Sequence, residues 1–165
     1  GIMGVYKIMK KLRALFIAAA ALFMFNAAHN TAQAQTIGYV NYKTVESNYE
    51  YAKQAYKEID TKYLELQQYL MDKEKQYKNI ESPINKKNFE DQVQKDFKVK
   101  NEEFDKLKLK RAQEVENNIL QATKAVAADK KIDVVLDYRV IFTGGIDISQ
   151  DVINYLNSGK FKPAK

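Results

Sequence analysis

From Tyr49 onward, apolar and polar positions alternate in steps of three and four. Tyr49, Ala52, Tyr56, Ile59, Tyr63, Leu66, Leu70, Lys73, Tyr77 and Ile80 make an a/d heptad seam interrupted only by Lys73. A less regular stripe follows through Phe89, Val93, Phe97, Phe104 and Leu107, and another through Ala112, Val115, Ile119, Ala122 and Val126. Phe104 and Val115 are eleven residues apart, a stutter that locally unwinds a supercoil. Between Lys43 and Lys131 there is no glycine and one proline, Pro83. Helix interiors tolerate those two residues least, so the stretch predicts long helices. Ser82 before Pro83 is a helix start: a serine N-cap and a proline at the first helical position. The pattern therefore predicts two helices folded back at Asn79–Ser82, the first capped by Thr44 and the second ending near Lys130. At about 1.5 Å per residue this arm is on the order of 50–60 Å long.

At the two ends the period changes from helical to alternating. Gln35–Asn41 reads as a short strand with Ile37 and Tyr39 on one face. Ile132–Asp137 reads as another, with Val134 and Leu136 on one face, and Val140–Thr143 as a third, paired with it as a hairpin through Tyr138-Arg139. Gly144-Gly145 break the chain, and Ser149 caps a last helix over Gln150–Leu156 with Val152, Ile153 and Leu156 on its apolar face. The fold class expected is α+β: a small strand head, a long antiparallel helical-hairpin arm and a short C-terminal helix. The head comprises residues 35–43 and 131–165; the arm comprises 44–130, with its tip near 79–83. Roughly 50 residues of head bury too little surface to stand alone without a disulfide or metal, and three strands leave open edges. The economical solution is a head shared between chains. Its association core is expected from Ile37, Tyr39, Val134, Leu136, Val140, Phe142, Val152 and Leu156.

The N-terminal segment changes the reading of charge. Residues 1–34 carry Lys7, Lys10, Lys11 and Arg13 and no acid, then the apolar run Leu15–Phe25, then Ala32-Gln33-Ala34. That order describes a secretory leader cleaved after Ala34, with an uncleaved membrane anchor as the alternative. The overall charge is +6; taking away the leader's four of 27 bases leaves 23 against 21 acids, or +2. So small an excess gives no ground for a nucleic-acid partner. The chain has no cysteine, and its one histidine, His29, lies in the expected leader. Histidine and cysteine chemistry, and metal sites built on those ligands, are not expected, nor is a cofactor.

The outer faces of the arm read as salt-laced and solvated, with acids four residues before lysines at Glu58/Lys62, Glu74/Lys78, Asp91/Lys95, Asp96/Lys100 and Glu102/Lys106. Two features stand out. Leu64 and Met71 are apolar, seven residues apart and both at the b position, so they share one flank. They either widen the hairpin seam or form a surface for apolar partners, which methionine suits. The tip is locally basic through Lys78, Lys86 and Lys87, with Lys73 and Lys75 nearby, a candidate for acidic segments, anionic lipid or lipopolysaccharide.

The C-terminal third resembles a known family. Lys131-Ile-Asp-Val-Val-Leu-Asp137, Val140-Ile-Phe142 and Asp147-Ile-Ser-Gln-Asp-Val-Ile153 are similar to the signature of the OmpH/Skp family of periplasmic chaperones. Ile119–Ala127 resembles that family's helix entry into the strands, and Ile37–Asn41 its first strand. The resemblance implies a homotrimer: a strand body bearing three helical tentacles around a cavity. It also implies ATP-independent holding of unfolded outer-membrane proteins in the periplasm, and it brings no catalytic motif. Two other functions compete. One is a passive coiled-coil spacer of the envelope. The other is an enzyme, which without histidine or cysteine beyond the leader would need Ser/Lys or paired carboxylates such as Asp133 and Asp137, although acids beside a turn are usually surface residues.

Overall fold

The structure is a computed structural model that describes residues 33–163. The expected leader lies almost wholly outside the described residues. Thr36 onward forms one compact unit. Strand β1 (Ile37–Val40) leads into a short helix α1 (Tyr42–Asn48) and then the arm, α2 (Glu50–Lys78) and α3 (Pro83–Asp129). Strand β2 (Val134–Asp137), a single 3-10 turn (Tyr138–Val140), β3 (Ile146–Asp147) and α4 (Ser149–Asn157) complete the chain. The α+β class and the long antiparallel arm match the expectation.

The arm's tip follows from its caps. Ser82 adopts an extended conformation, and its side chain accepts from the Asn85 N–H. Pro83 then opens α3, where a missing N–H costs nothing. The far end of α3 is closed by a Schellman pattern. The Ile132 N–H donates to the Ala127 carbonyl at 2.8 Å, and the Lys131 N–H donates to Ala128 at 3.2 Å. Lys131 supplies the left-handed residue that this cap needs, at φ 55°.

The first helix departs from expectation. Its N-cap is Asn41, whose side chain accepts from the Thr44 N–H at 3.1 Å, so Thr44 lies inside the helix. The helix then breaks at Tyr49, which is extended (ψ 115°). Asn157 of α4 satisfies the polar groups freed there. Its Oδ1 accepts from the Glu50 N–H at 3.0 Å, and its Nδ2 donates to the Asn48 carbonyl at 2.8 Å. The break is thus made by a tertiary contact, with no glycine or proline to announce it.

The sheet also differs. All its pairings are parallel, in the order β2-β1-β3, with Ile37 opposite Val134 and Tyr39 opposite Leu136. The expected hairpin over Val140–Thr143 is absent among the described residues. Two-residue hairpins want residues that take positive φ easily, and Tyr138-Arg139 offers none. Instead Asp137 accepts from the Arg139 N–H at 2.9 Å and starts the 3-10 turn. The positive φ values fall later, at Gly144 (82°) and Gly145 (80°), and bring the chain back to pair Ile146 with Gly38. Gly38 lets β1 lie against the core: a Cβ there would meet the Ile132 side chain at 3.1 Å.

The core sits where the arm meets the head. Val45, Tyr49, Ala52 and Ala55 pack with Val115, Ile119, Ala122 and Val126, and with Ile148, Val152, Ile153 and Leu156. The apolar face of α4 is as expected. Its cap is not: Ile148 is the N-cap residue, and the Ser149 hydroxyl instead accepts from the Asn41 N–H at 2.9 Å, tying α4 to α1.

Candidate functional site

Beyond the core the arm is two helices with only each other for neighbours, and no residue from 56 to 114 is buried. The seam is aromatic. Tyr63 meets Phe104 with ring centroids 6.3 Å apart, and Tyr77 meets Phe89 at 6.4 Å. Lysines cover the rings. Lys73 lies 5.4 Å from Tyr69 and 5.7 Å from Phe89, so the residue that interrupts the heptads caps them instead. Lys100 also lies over Tyr69, 5.2 Å from the ring centroid. The Tyr69 hydroxyl is buried there without a partner among the described residues, and burial raises its pKa. Two of the seam tyrosines, Tyr56 and Tyr63, are exposed, and the Tyr56 hydroxyl donates to Glu46 of α1.

A polar cluster closes the inner end of this seam. Arg111 donates through Nε to Glu58 across the hairpin and through Nη1 to Glu114, both at 2.8 Å. Tyr51 donates to the same Glu114 at 2.5 Å. Hydrogen bonds from Arg111, and for Glu114 first from Tyr51, hold both carboxyls below their ordinary value, while the Arg111 pKa rises. Ala112, expected in the apolar stripe, is exposed, and Arg111 faces α2 in its place. Glu58 is thereby drawn away from Lys62, which pairs with Glu65 at 2.7 Å. Of the expected four-residue pairs, Glu74–Lys78 forms, at 2.9 Å.

The two flank residues are displayed to solvent, Leu64 at 63 % and Met71 at 53 % exposure, so they stand outside the seam. Val99 and Leu109 of α3, which periodicity did not single out, are comparably exposed, as is Ile84 at the tip. The signal was present: each is an apolar residue off the stripes. The tip lysines are less free than their sequence implies. Lys78 is paired with Glu74, Lys87 approaches Asp91 at 3.6 Å, and Lys86 lies 5.1 Å over the Tyr77 ring.

In the head, the β1–β2 register puts Ile37, Tyr39, Val134 and Leu136 on one face. Ile37, Val134 and Leu136 remain exposed. Val140 (69 %) and Phe142 (102 %) are more so. Val152 and Leu156, expected with them in an association core, lie in the chain's own core instead. A groove of about 640 Å³ runs between α3 and the edge strand β2, lined by Val40, Ile119, Leu120, Val135 and Leu136 among others. Asp133 and Asp137 also line it. Each has a local structural role: Asp133 accepts from the Thr36 N–H at 2.8 Å, and Asp137 pairs with Arg139 at 2.8 Å.

Among the described residues no helix is long and apolar enough to cross a membrane, and no cluster of histidine, cysteine, aspartate or glutamate is arranged to hold a metal. The arm displays apolar side chains and is carried on a small sheet with an uncovered apolar face. Residues 36–156 match the family model described as outer membrane protein (OmpH-like), and the chain belongs to that family. Membership gives it a periplasmic chaperone-type function in general terms, within a family of non-enzymatic proteins. No match was found among curated proteins.

Proposed function

We propose that this protein is an ATP-independent periplasmic holdase that binds unfolded outer-membrane proteins and keeps them from aggregating. The carrying observation is the outer arm: two helices with no buried residue over 56–114, presenting Leu64 and Met71 to solvent on one flank. Many weak apolar contacts with a mobile client need no nucleotide, and the charged faces keep the assembly wet. The leader pattern at residues 1–34 supports export and cleavage after Ala34. The uncovered sheet face, with Ile37, Tyr39, Val134 and Leu136, supports self-association of the heads into a homotrimer, whose arms then surround a shared client space. The lysines of the tip, Lys78, Lys86 and Lys87, form a secondary contact for acidic client segments, anionic lipid or lipopolysaccharide, tempered by the acids that Lys78 and Lys87 already face.

The test is light scattering as a urea-unfolded outer-membrane β-barrel protein is diluted into buffer without ATP. The expected result is suppressed turbidity at stoichiometric arm concentrations. Equal turbidity with and without the protein leaves only a passive spacer. Leu64→Lys with Met71→Lys should keep helix content and assembly while suppressing turbidity at least several-fold less; unchanged suppression removes this flank from the client surface.

A further inference from the structure

We infer that Met71 is a modification site that switches the arm's apolar flank: a hydroperoxide converts its thioether to a sulfoxide, and the flank then releases apolar segments until a reductase restores it. This rests on the reading of Leu64 and Met71 as client surface and adds how that surface is regulated. Met71 is the one methionine among the described residues, since Met3, Met9 and Met24 lie in the expected leader, and the chain has no cysteine. Its thioether is therefore the one sulfur there that a peroxide can oxidise. It is also accessible. Met71 is more than half exposed, and its neighbours on the helix surface, Gln67, Gln68, Asp72 and Lys75, are exposed as well. The rings of the same stretch are sheltered by comparison, with Lys73 over Tyr69 and Phe89 and Lys86 over Tyr77. The flank itself is short. The b positions one heptad either side of Leu64 and Met71 are Lys57 and Lys78, so two side chains make its whole apolar surface. Oxidation of one of them removes about half of it.

The chemistry is self-contained. A lone pair on Sδ attacks the outer oxygen of the hydroperoxide, and the S–O bond forms as the O–O bond breaks. The leaving oxygen takes up the proton and departs as water or an alcohol. Sulfur loses two electrons and the peroxide gains them. The product is a polar, chiral side chain in place of an apolar, adaptable one. Because Met71 stands on the outer surface of α2 and belongs to no buried cluster, the change leaves the core alone. Lys75, one turn along the same face, supplies a donor for the new oxygen. The helix therefore survives in both states, as a reversible switch requires. Reversal needs a dithiol reductase, which removes the oxygen as water and keeps a disulfide. Membership of a periplasmic family places the site outside the reducing cytosol.

The experiment treats the full chain with hydrogen peroxide, destroys the excess with catalase, and then adds unfolded client. Peptide mass spectrometry reads oxygen at Met71, circular dichroism reads helix, and light scattering reads holding. The parent should gain one oxygen at Met71, keep its helix and suppress turbidity several-fold less. Methionine sulfoxide reductases for both epimers, with a dithiol, should restore it. Met71→Gln should hold at the oxidised level without treatment. For Met71→Leu, peroxide should leave holding where it stood before treatment. The switch is overturned if Met71 stays reduced while free methionine in the same tube oxidises, or if the oxidised parent holds as well as the untreated one. An equal loss in Met71→Leu, or a loss of helix on oxidation, overturns it too. Should Leu64→Lys with Met71→Lys also hold like the parent, the client flank falls with the switch. Should that double variant fail while the oxidised parent holds, the switch alone falls.

Discussion

The arm has two halves that carry the same kind of apolar spacing along the sequence and that physics treats differently. At its base, α2 and α3 touch α1 and α4 as well as each other, and Ala52, Ala55 and Ala122 let the backbones close over a buried core. Past Arg111 the same helices have one neighbour each, and aromatic rings with lysines laid on them take the place of buried aliphatics. A seam of facing positions is therefore not a core. Burial needs a third element, and the outer arm has none. The base is where the chain is stable; the outer arm is where its apolar surface is available.

The largest test of that difference is truncation. Ile119→Ala should cost roughly 2–5 kcal/mol of stability, measured by urea unfolding. Leu66→Ala, half-buried in the outer seam, should cost less than half as much. Hydrogen exchange should show the same gradient, with outer-arm amides opening well before those of residues 115–126. Equal protection along α3 would erase the distinction.

Next comes the joint between α1 and α2. Asn157→Ala removes both hydrogen bonds at the Tyr49 break and should cost about 1–2 kcal/mol, with exchange quickening first around Asn48–Glu50. A smaller effect of opposite sign is expected at the base of α3. Lys131→Gly relieves a left-handed lysine and should stabilise the protein by about 0.5–1 kcal/mol, read as a rise in the unfolding midpoint.

The subtlest concerns the boundary itself. Arg111 holds the Glu58 carboxyl below its ordinary value of 4.5, and Tyr51 together with Arg111 holds that of Glu114. A carboxyl depressed in the folded state stabilises above its unfolded pKa, and that contribution fades as pH falls through the folded value. Arg111→Ala should therefore lower the melting temperature slightly at pH 7, and the gap from the parent should narrow as pH falls below 4.5. A gap that does not narrow with falling pH would assign the loss to packing rather than to charge.

Much of this was legible in the residues. The hairpin and its tip follow from the seam, the absence of glycine and the Ser82-Pro83 start. The face of α4 follows from Val152, Ile153 and Leu156. The strand pairing was not legible, because Val140–Thr143 and Ile146–Asp147 are both short apolar segments, and what decides between them is turn chemistry at residues 138–145. Nor was the Tyr49 break, since the residue that makes it, Asn157, is a lone amide more than a hundred positions away. On the arm, Leu64 and Met71 were visible as apolar residues off the seam, whereas the Arg111 cluster was hidden by an alanine beside it that suited the stripe better.

The parallel pairing of β1 with β2 has a consequence for the order of folding. Thr36 bonds to Asp133 across 97 residues, so β1 is made first and waits through the synthesis of the whole arm for its partner. Closing so long a loop of unstructured chain is entropically costly and slow. The helical hairpin turns that loop into a rod folded at Ser82-Pro83, which brings its two ends together as it zips. The arm is thus the template on which the head is assembled, and any defect at the tip should delay the sheet some 50 residues away at either end.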